Sequence, residues 1–334
     1  MQRLLSIIKT VTFVALLFAF IGTGTLHAAT VLKFGHAQPP SSTVNMAALE
    51  FKKAVEKASK GEIIIEVFPG GALGGNPQMV QGVRMGSLDI TTNGNSFYTA
   101  FAPKLNVLDL PYLFNGYPHV VAVFDGPIGQ ALLEEFTQYN LKGLAFLDQG
   151  FRHTTNNVRP IRVPDDLKGI KIRVAPNKAH VMCFQLLGAN VVTMSFTEVY
   201  MAMQTNAVDA QENPINVIEA NRFQEVQKYM SLTRHAYTVG PLVMNLKKFN
   251  SLSKAHQAIL MDAAKTMAKN LRRTHQKLEA EQLQKMRAGG MQIITNINVE
   301  PFKKIVAEKT REEYISKFGP DLLNQIIKAD VKKK

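Results

Sequence analysis

Glu62-Ile-Ile-Ile-Glu-Val-Phe68 is a short apolar run rich in β-branched residues, and Pro69-Gly-Gly-Ala-Leu-Gly-Gly75 closes it. Such a run reads as a buried strand that ends in a loop. Upstream, Ala47, Phe51, Ala54, Val55 and Ala58 recur at helical spacing, and Gly61 stops that helix. Before the helix, Val31-Leu-Lys-Phe-Gly-His36 reads as a first strand opening into the loop His36–Ser42. Downstream, Asn76–Met85 reads as a helix and Leu88-Asp-Ile-Thr-Thr92 as a third strand. Strand, helix, strand, helix, strand implies a mainly parallel sheet with helices on both faces, hence an α/β protein.

The pattern restarts further on. Leu144–Leu147 reads as a strand, followed by a polar, turn-rich stretch from Arg152 to Pro164. Ile170–Val174 and Asn190–Thr193 read as strands, with a helix from Lys178 to Leu187 between them. A helix over Thr197–Thr205 and a short strand Val208–Ala210 follow. Two α/β halves in series imply two lobes. The boundary falls near Asp148–Phe151, where no Pro/Ser-rich linker appears, so short crossings are expected in place of a tether. Ser253–Ala288 contains no Gly or Pro, and Ile259, Ala263, Met267 and Leu271 give it an apolar stripe. At about 1.5 Å per residue it would form a helix of roughly 50 Å, long enough to brace both lobes. Two helices with a bend are the alternative.

The chain has 334 residues, 46% of them hydrophobic and 19% charged, which excludes a disordered chain. One cysteine, Cys183, excludes an intramolecular disulfide framework and any multi-Cys metal cluster. Residues 1–29 carry Arg3 and Lys9, an apolar run from Val11 to Gly22, and small residues ending in His27-Ala-Ala29. The run is shorter than the roughly 20 residues a membrane span needs, so the segment reads as a secretory signal peptide. Removing Arg3 and Lys9 with it lowers the formal charge from +13 to +11.

Most familiar chemistries find no support. The glycines of 70–75 lack the Lys-Ser/Thr of a phosphate loop and the dinucleotide spacing, so they read as a tight turn. A Gly-x-Ser-x-Gly elbow is absent, Cys183 sits mid-helix among Val181, Met182 and Phe184, and no His pair has metalloprotease spacing. No metal and no cofactor is called for. The basic charge is scattered and not interleaved with aromatics, which argues against nucleic acid. A positive field instead steers small anions toward a cleft.

Two arginines carry the sharper signal. Arg152 stands after the Leu144–Leu147 strand and Arg173 lies within Ile170–Val174. In open α/β sheets ligands bind beyond the carboxyl ends of strands, and a guanidinium there can grip a carboxylate bidentately. A structural ion pair is the plainer reading of either residue alone.

Asp166-Leu-Lys-Gly-Ile-Lys-Ile-Arg-Val174 resembles the central signature of DctP-type solute-binding proteins of tripartite ATP-independent periplasmic (TRAP) transporters. Ser195-Phe-Thr-Glu-Val-Tyr-Met-Ala-Met-Gln-Thr-Asn-Ala-Val-Asp-Ala-Gln-Glu-Asn-Pro214 resembles the second signature, and Val226-Gln-Lys-Tyr-Met-Ser-Leu-Thr-Arg-His235 the third. The ordered series is far more specific than any one member, and the likeness spans essentially the whole mature chain.

The resemblance implies a two-lobe periplasmic-binding-protein-like fold with hinge strands and a long bracing helix. By chain position, lobe I takes 30–150 plus about 239–278, and lobe II takes 151–238 plus about 279–334. It implies a cleft that closes on a small organic acid, with Arg173 as the main carboxylate contact and Arg152 as the second. Asn213 would support the carboxylate and Phe196 would line the pocket. His36, Asn93 and Asn95 follow the first and third strands and are candidate first-lobe contacts. Asn177 is a further candidate, although Val174-Ala-Pro-Asn177 carries one residue more than the family's common Val-Pro-Asn. His153 either adds polarity beside Arg152 or packs. The expected protein is a periplasmic monomer, not an enzyme, partnered by TRAP permease subunits. An exported enzyme acting on small acids and a sensor's ligand-binding partner are the alternatives.

Overall fold

The computed structural model describes residues 28–330. The leader read at 1–29 therefore lies outside the described residues apart from Ala28 and Ala29, as do Lys332–Lys334. Ten strands are found among the described residues: β1 Thr30–His36, β2 Ile63–Phe68, β3 Ile90–Thr92, β4 Leu141–Asn156, β5 Lys171–Val174, β6 Asn190–Thr193, β7 Ala210–Pro214, β8 Tyr229–Ser231, β9 Tyr237–Asn245 and β10 Gln292–Ile294. They form one sheet in the order β2-β1-β3-β9-β4-β7-β5-β6, with β8 on β4 and β10 on β8.

The opening βαβαβ reading describes the first half of this sheet. β1 pairs in parallel with both β2 and β3. Helices Thr43–Ala58 and Asn76–Met85 connect them. The second half repeats the logic, with β5 parallel to β6 and β7. Helix Lys178–Leu186 links β5 to β6, and Gly188 follows its end.

The join between the halves differs from the expectation of a short strand and a turn-rich stretch. β4 is a single 16-residue strand that runs from Leu141 through Arg152 to Asn156. It pairs antiparallel with β9 up to Phe151, then with β7 and β8. Arg152-His-Thr-Thr-Asn156 looks like a loop because it is polar, yet its side chains are buried and largely paired, Asn156 Nδ2 excepted. Thr155 Oγ1 donates to Gln227 (2.9 Å), and Asn156 Oδ1 accepts from the amides of Val158 and Arg159. Polar residues are tolerated in a central strand when each finds a partner. The proposed boundary near Asp148–Phe151 thus falls inside a crossing strand. A β-bulge lies there, between Asp148 and Gly150, with Gly150 at φ +111°, a conformation that disfavours any residue with a Cβ.

Lys254–Ala288 is one uninterrupted helix of 35 residues, about 52 Å long at the standard rise. Ser253 caps its start by accepting from the His256 amide (3.1 Å). Its inner stripe, Leu260, Ala264, Met267 and Leu271, packs into the first-half core with Phe51 and Leu242. Farther along, it packs on helix Ile215–Ala220 of the second half. Arg272 fastens it to the crossing strand, donating to Asp148 (2.6 Å) and as a fork to Asp125 (2.7 and 2.8 Å). The C-terminal helix Asp321–Lys328 also reaches the first half, where His119 Nε2 meets the Ile326 carbonyl (2.7 Å).

Candidate functional site

Arg173 stands in β5 beside Gln211 of β7 and is only 1% exposed. One Nη2–H donates to the Met194 carbonyl (2.6 Å), while Nε has no acceptor among the described residues. No carboxylate pairs with it there. Burial pulls its pKa down to about 9, which leaves it protonated at neutral pH. The strand therefore presents a buried cation with an open donor, a costly arrangement unless an anion completes it.

Arg152, 4% exposed, is the opposite case. Its Nε and Nη2 fork onto the two carboxylate oxygens of Glu212, Nη1 donates to Thr238 Oγ1 (2.7 Å), and Nη2 also reaches Asn213 Oδ1 (3.2 Å). Burial alone would raise the Glu212 carboxyl. Arg152, His180 and His235 outweigh burial and hold it well below the usual carboxylate range. Asn213, the expected amide support, accepts from Arg152 and donates to Gln211 Oε1 (2.6 Å). It thus ties the Arg152 cluster to the residue beside Arg173.

The other predicted residues divide. Phe196 is buried against Phe223, two positions beyond the carbonyl that holds Arg173. Its amide and the Ser195 hydroxyl both donate to Asn76 Oδ1 (3.1 Å each), and Asn76 Nδ2 donates to Asn93 Oδ1 (2.8 Å). Asn93 and Phe196 therefore lie on one polar chain that joins the two halves. His36 is fully buried, with Nε2 near Asn45 Oδ1 (3.3 Å) and Nδ1 unpartnered. Burial drops its pKa to about 4, so the ring is neutral at pH 7. Asn95 and Asn177 are drawn elsewhere. Asn95 Nδ2 holds the turn Pro103–Asp109 through the Leu105 carbonyl (2.9 Å) and Asp109 (2.8 Å). Asn177 caps helix Lys178–Leu186 through Oδ1, and its Nδ2 donates across to Asn106 and Asp109 (2.9 Å each). Asn177 is thus a helix cap and a cross-half clamp. His153 packs, its Nδ1 near the Arg234 amide (3.3 Å).

Sequence reasoning missed Asn76, Asp109, His180 and Glu212. Glu212 sits inside the quoted Gln-Glu-Asn-Pro segment, so the signal was present. Asp109 ends a 3-10 turn and has no local signature. The glycine-rich loop is also explained. A Cβ on Gly75 would sit 2.8 Å from Gln78 Oε1 and 2.9 Å from Ser195 Oγ, so the small residue allows this loop to approach the second half. Cys183 is buried and unpaired, and burial pushes its thiol pKa up, as fits an inert core residue.

Comparison with known proteins identifies the family and the fold. Residues 34–317 match the DctP family, described as bacterial extracellular solute-binding protein, family 7. The chain is 36% identical over 320 residues to the 2,3-diketo-L-gulonate-binding periplasmic protein of Escherichia coli K12, covering 94% of this chain and 96% of that one. It is similar to a TRAP periplasmic solute-binding protein from Polaromonas sp. JS666 solved with D-erythronate: TM-score 0.88, 33% identity, 91% of this chain and all of that one. A sugar-acid-binding protein from Advenella mimigardefordensis, solved with galactonate, superposes with TM-score 0.87 at 30% identity, covering 90% of this chain and 97% of that one. These relatives are solute-binding proteins, not enzymes.

Proposed function

The chain belongs to family 7 of the bacterial extracellular solute-binding proteins, the DctP type of TRAP transporters, and from that premise we propose that it captures a short sugar acid and hands it to a membrane permease. Arg173 carries the reading. A buried, protonated guanidinium with an open Nε is completed by a carboxylate, which Arg can hold by two parallel bonds. The neighbouring chemistry favours a hydroxylated acid over a second charge. Gln211 stands beside Arg173, Asn213 follows it, and Asn76, Asn93 and Ser195 bring amides and a hydroxyl from the junction of the halves. Relatives that bind diketogulonate, erythronate and galactonate support the same class.

Arg152 acts at one remove, orienting Asn213 and adding positive potential. Closure is a hinge motion about β4 and β9, driven by the ligand's preference for the closed state. The protein works as a monomer in the periplasm, and its closed form presents both lobes to the permease. Lobe I comprises 30–150 plus about 239–278, and lobe II comprises 151–238 plus about 279–334. A micromolar dissociation constant corresponds to about −8 kcal/mol, within reach of one buried Arg clamp and a few hydrogen bonds.

A thermal-shift panel of aldonic, uronic and dicarboxylic acids tests the reading. Ligand at about 100 times its dissociation constant adds about 2.7 kcal/mol of stability. A hit among the sugar acids that disappears in Arg173→Ala is the expected result. A flat panel, with no acid released on denaturing the purified protein, would overturn it.

A further inference from the structure

Asp109 is a buried carboxylate that the capture of an anion does not by itself require. It ends the turn Pro103–Asp109 in the first half and is 1% exposed. Its Oδ2 accepts from Asn95 within its own half (2.8 Å) and from Asn177 of the second half (2.9 Å). It is thus an acceptor through which one half holds the other. Its Oδ1 has no partner among the described residues and lies 3.8 Å from His180 Nε2. Asn95 Oδ1 and both ring nitrogens of His180 are likewise unpartnered. His180 stands between two carboxylates, with Nε2 3.8 Å from Asp109 Oδ1 and Nδ1 3.8 Å from Glu212 Oε1, and a neutral imidazole has one N–H to offer them. With that N–H on Nδ1 toward Glu212, Nε2 and Asp109 Oδ1 face each other as two acceptors with no donor between them. A single proton on Asp109 Oδ1 would supply that donor.

We infer that Asp109 is a proton-operated latch: closing the cleft takes up a proton at Oδ1, so that anion capture strengthens below neutral pH. The inference rests on the carboxylate-capture reading above. Burial raises the Asp109 pKa to about 7, opposed by the Asn95 hydrogen bond, by Arg152 and by the Ser96 hydroxyl, and supported by Glu212. Other charged or titratable groups face it across the junction. His180 is lowered to about 3 and stays neutral, Glu212 stays ionised, and His235 is lowered while bound to Glu212. Glu212 and Arg152 also act on Arg173, in opposite senses. Protonating Asp109 removes a negative charge that Arg152 faces, which leaves the cluster more positive toward an anion.

The sign follows from linkage. When the cleft opens and water reaches Asp109, its pKa returns toward the ordinary value of about 3.9. The closed state then binds more protons than the open one at every pH between the two values. Affinity is flat above about pH 8 and rises as pH falls through 7, by about tenfold from pH 8 to pH 6. Histidines that closure buries in neutral form, such as His36, oppose this below about pH 6.5. The contrast with Asp109→Asn isolates the carboxylate.

The test measures dissociation constants of D-erythronate and D-galactonate at pH 8, 7 and 6 for wild type and Asp109→Asn. The wild-type-to-variant affinity ratio is expected to rise about tenfold as pH falls from 8 to 6. Infrared difference spectra of wild type at pH 6.5 should gain a protonated-carboxyl band on ligand addition, and this decides the matter if the Asn variant does not fold. Binding with a pH-independent ratio, or without the band, overturns the latch and leaves the capture reading standing. Loss of binding to both acids and to the wider carboxylate panel overturns both.

Discussion

Arg152 and Arg173 are two buried arginines in one half of one sheet, and they are wired in opposite ways. Arg152 is met by a carboxylate fork, a hydroxyl and an amide oxygen. Arg173 is met by one backbone carbonyl. The first arrangement repays the desolvation of its charge inside the protein; the second leaves part of that cost for a ligand to relieve. Burial and residue type alone do not separate a structural arginine from a binding one. The unpaired donor is what sets Arg173 apart, and the proposed division of roles rests on it.

The largest effect that would break this contrast is on stability. Arg152→Ala strands the Glu212 carboxylate in the interior and should cost about 3–5 kcal/mol in urea or thermal unfolding. Arg173→Ala removes a cation that lacks a full set of partners, so stability should hold or rise. Equal losses in the two variants would mean that Arg173 is held by the protein as firmly as Arg152.

Binding reverses the order. Arg173→Ala should lose about 3 kcal/mol of affinity for the captured acid, more than a hundredfold, with the fold intact. Arg173→Lys should fail almost as badly, because an ammonium cannot reproduce two parallel donors. A Lys variant within a few-fold of wild type, by calorimetry, would remove the bidentate argument and with it the special status of Nε.

Acid sharpens the contrast in a third way. The folded-state pKa of Glu212 lies below its ordinary 4.5. Its stabilisation is therefore complete above that value and is lost as pH falls below it, at about 1.4 kcal/mol per pH unit. Buried His36, His180 and His275, lowered to about 4, 3 and 4, destabilise earlier. Unfolded chains bind protons at 6.5 that these rings refuse, so stability also declines from pH 6.5 downward. Arg152→Ala should lose the Glu212 stage and keep the histidine stage, whereas Arg173→Ala should keep both. Unfolding midpoints from pH 7 to pH 3 read this directly.

The sequence was most informative where chemistry is local. The βαβαβ opening, the uninterrupted helix Lys254–Ala288 and Arg173 within its strand are visible in residue spacing, because apolar periodicity and strand register need no distant partner. The crossing strand was not visible. His153-Thr-Thr-Asn156 reads as loop until Gln227 and the strands on both sides supply its partners. The partners of Asn95 and Asn177 were hidden for the same reason. Their amides answer to Asp109, a residue remote in sequence that gives no signal of its own. Arg152 was found by its position in a motif, but its ties to Glu212 and Thr238 depend on strands 60 and 86 residues away.

The smallest predicted effect is the most discriminating. Thr238 Oγ1 accepts from Arg152 Nη1 at 2.7 Å, and both residues lie in the crossing strands, β4 and β9. Thr238→Val keeps the side-chain shape and removes the acceptor, which makes Arg152 resemble Arg173 by one donor. A buried donor left unmet costs about 1–3 kcal/mol, at the low end here because the Glu212 fork remains. About 1 kcal/mol is therefore expected in unfolding. If Arg152 only supports Asn213, affinity should weaken by a few-fold at most. Tighter binding in Thr238→Val would mean instead that the freed Nη1 has turned to the anion. The two arginines would then differ in occupancy but not in kind, and the Glu212 fork alone would be what reserves Arg152 for the fold.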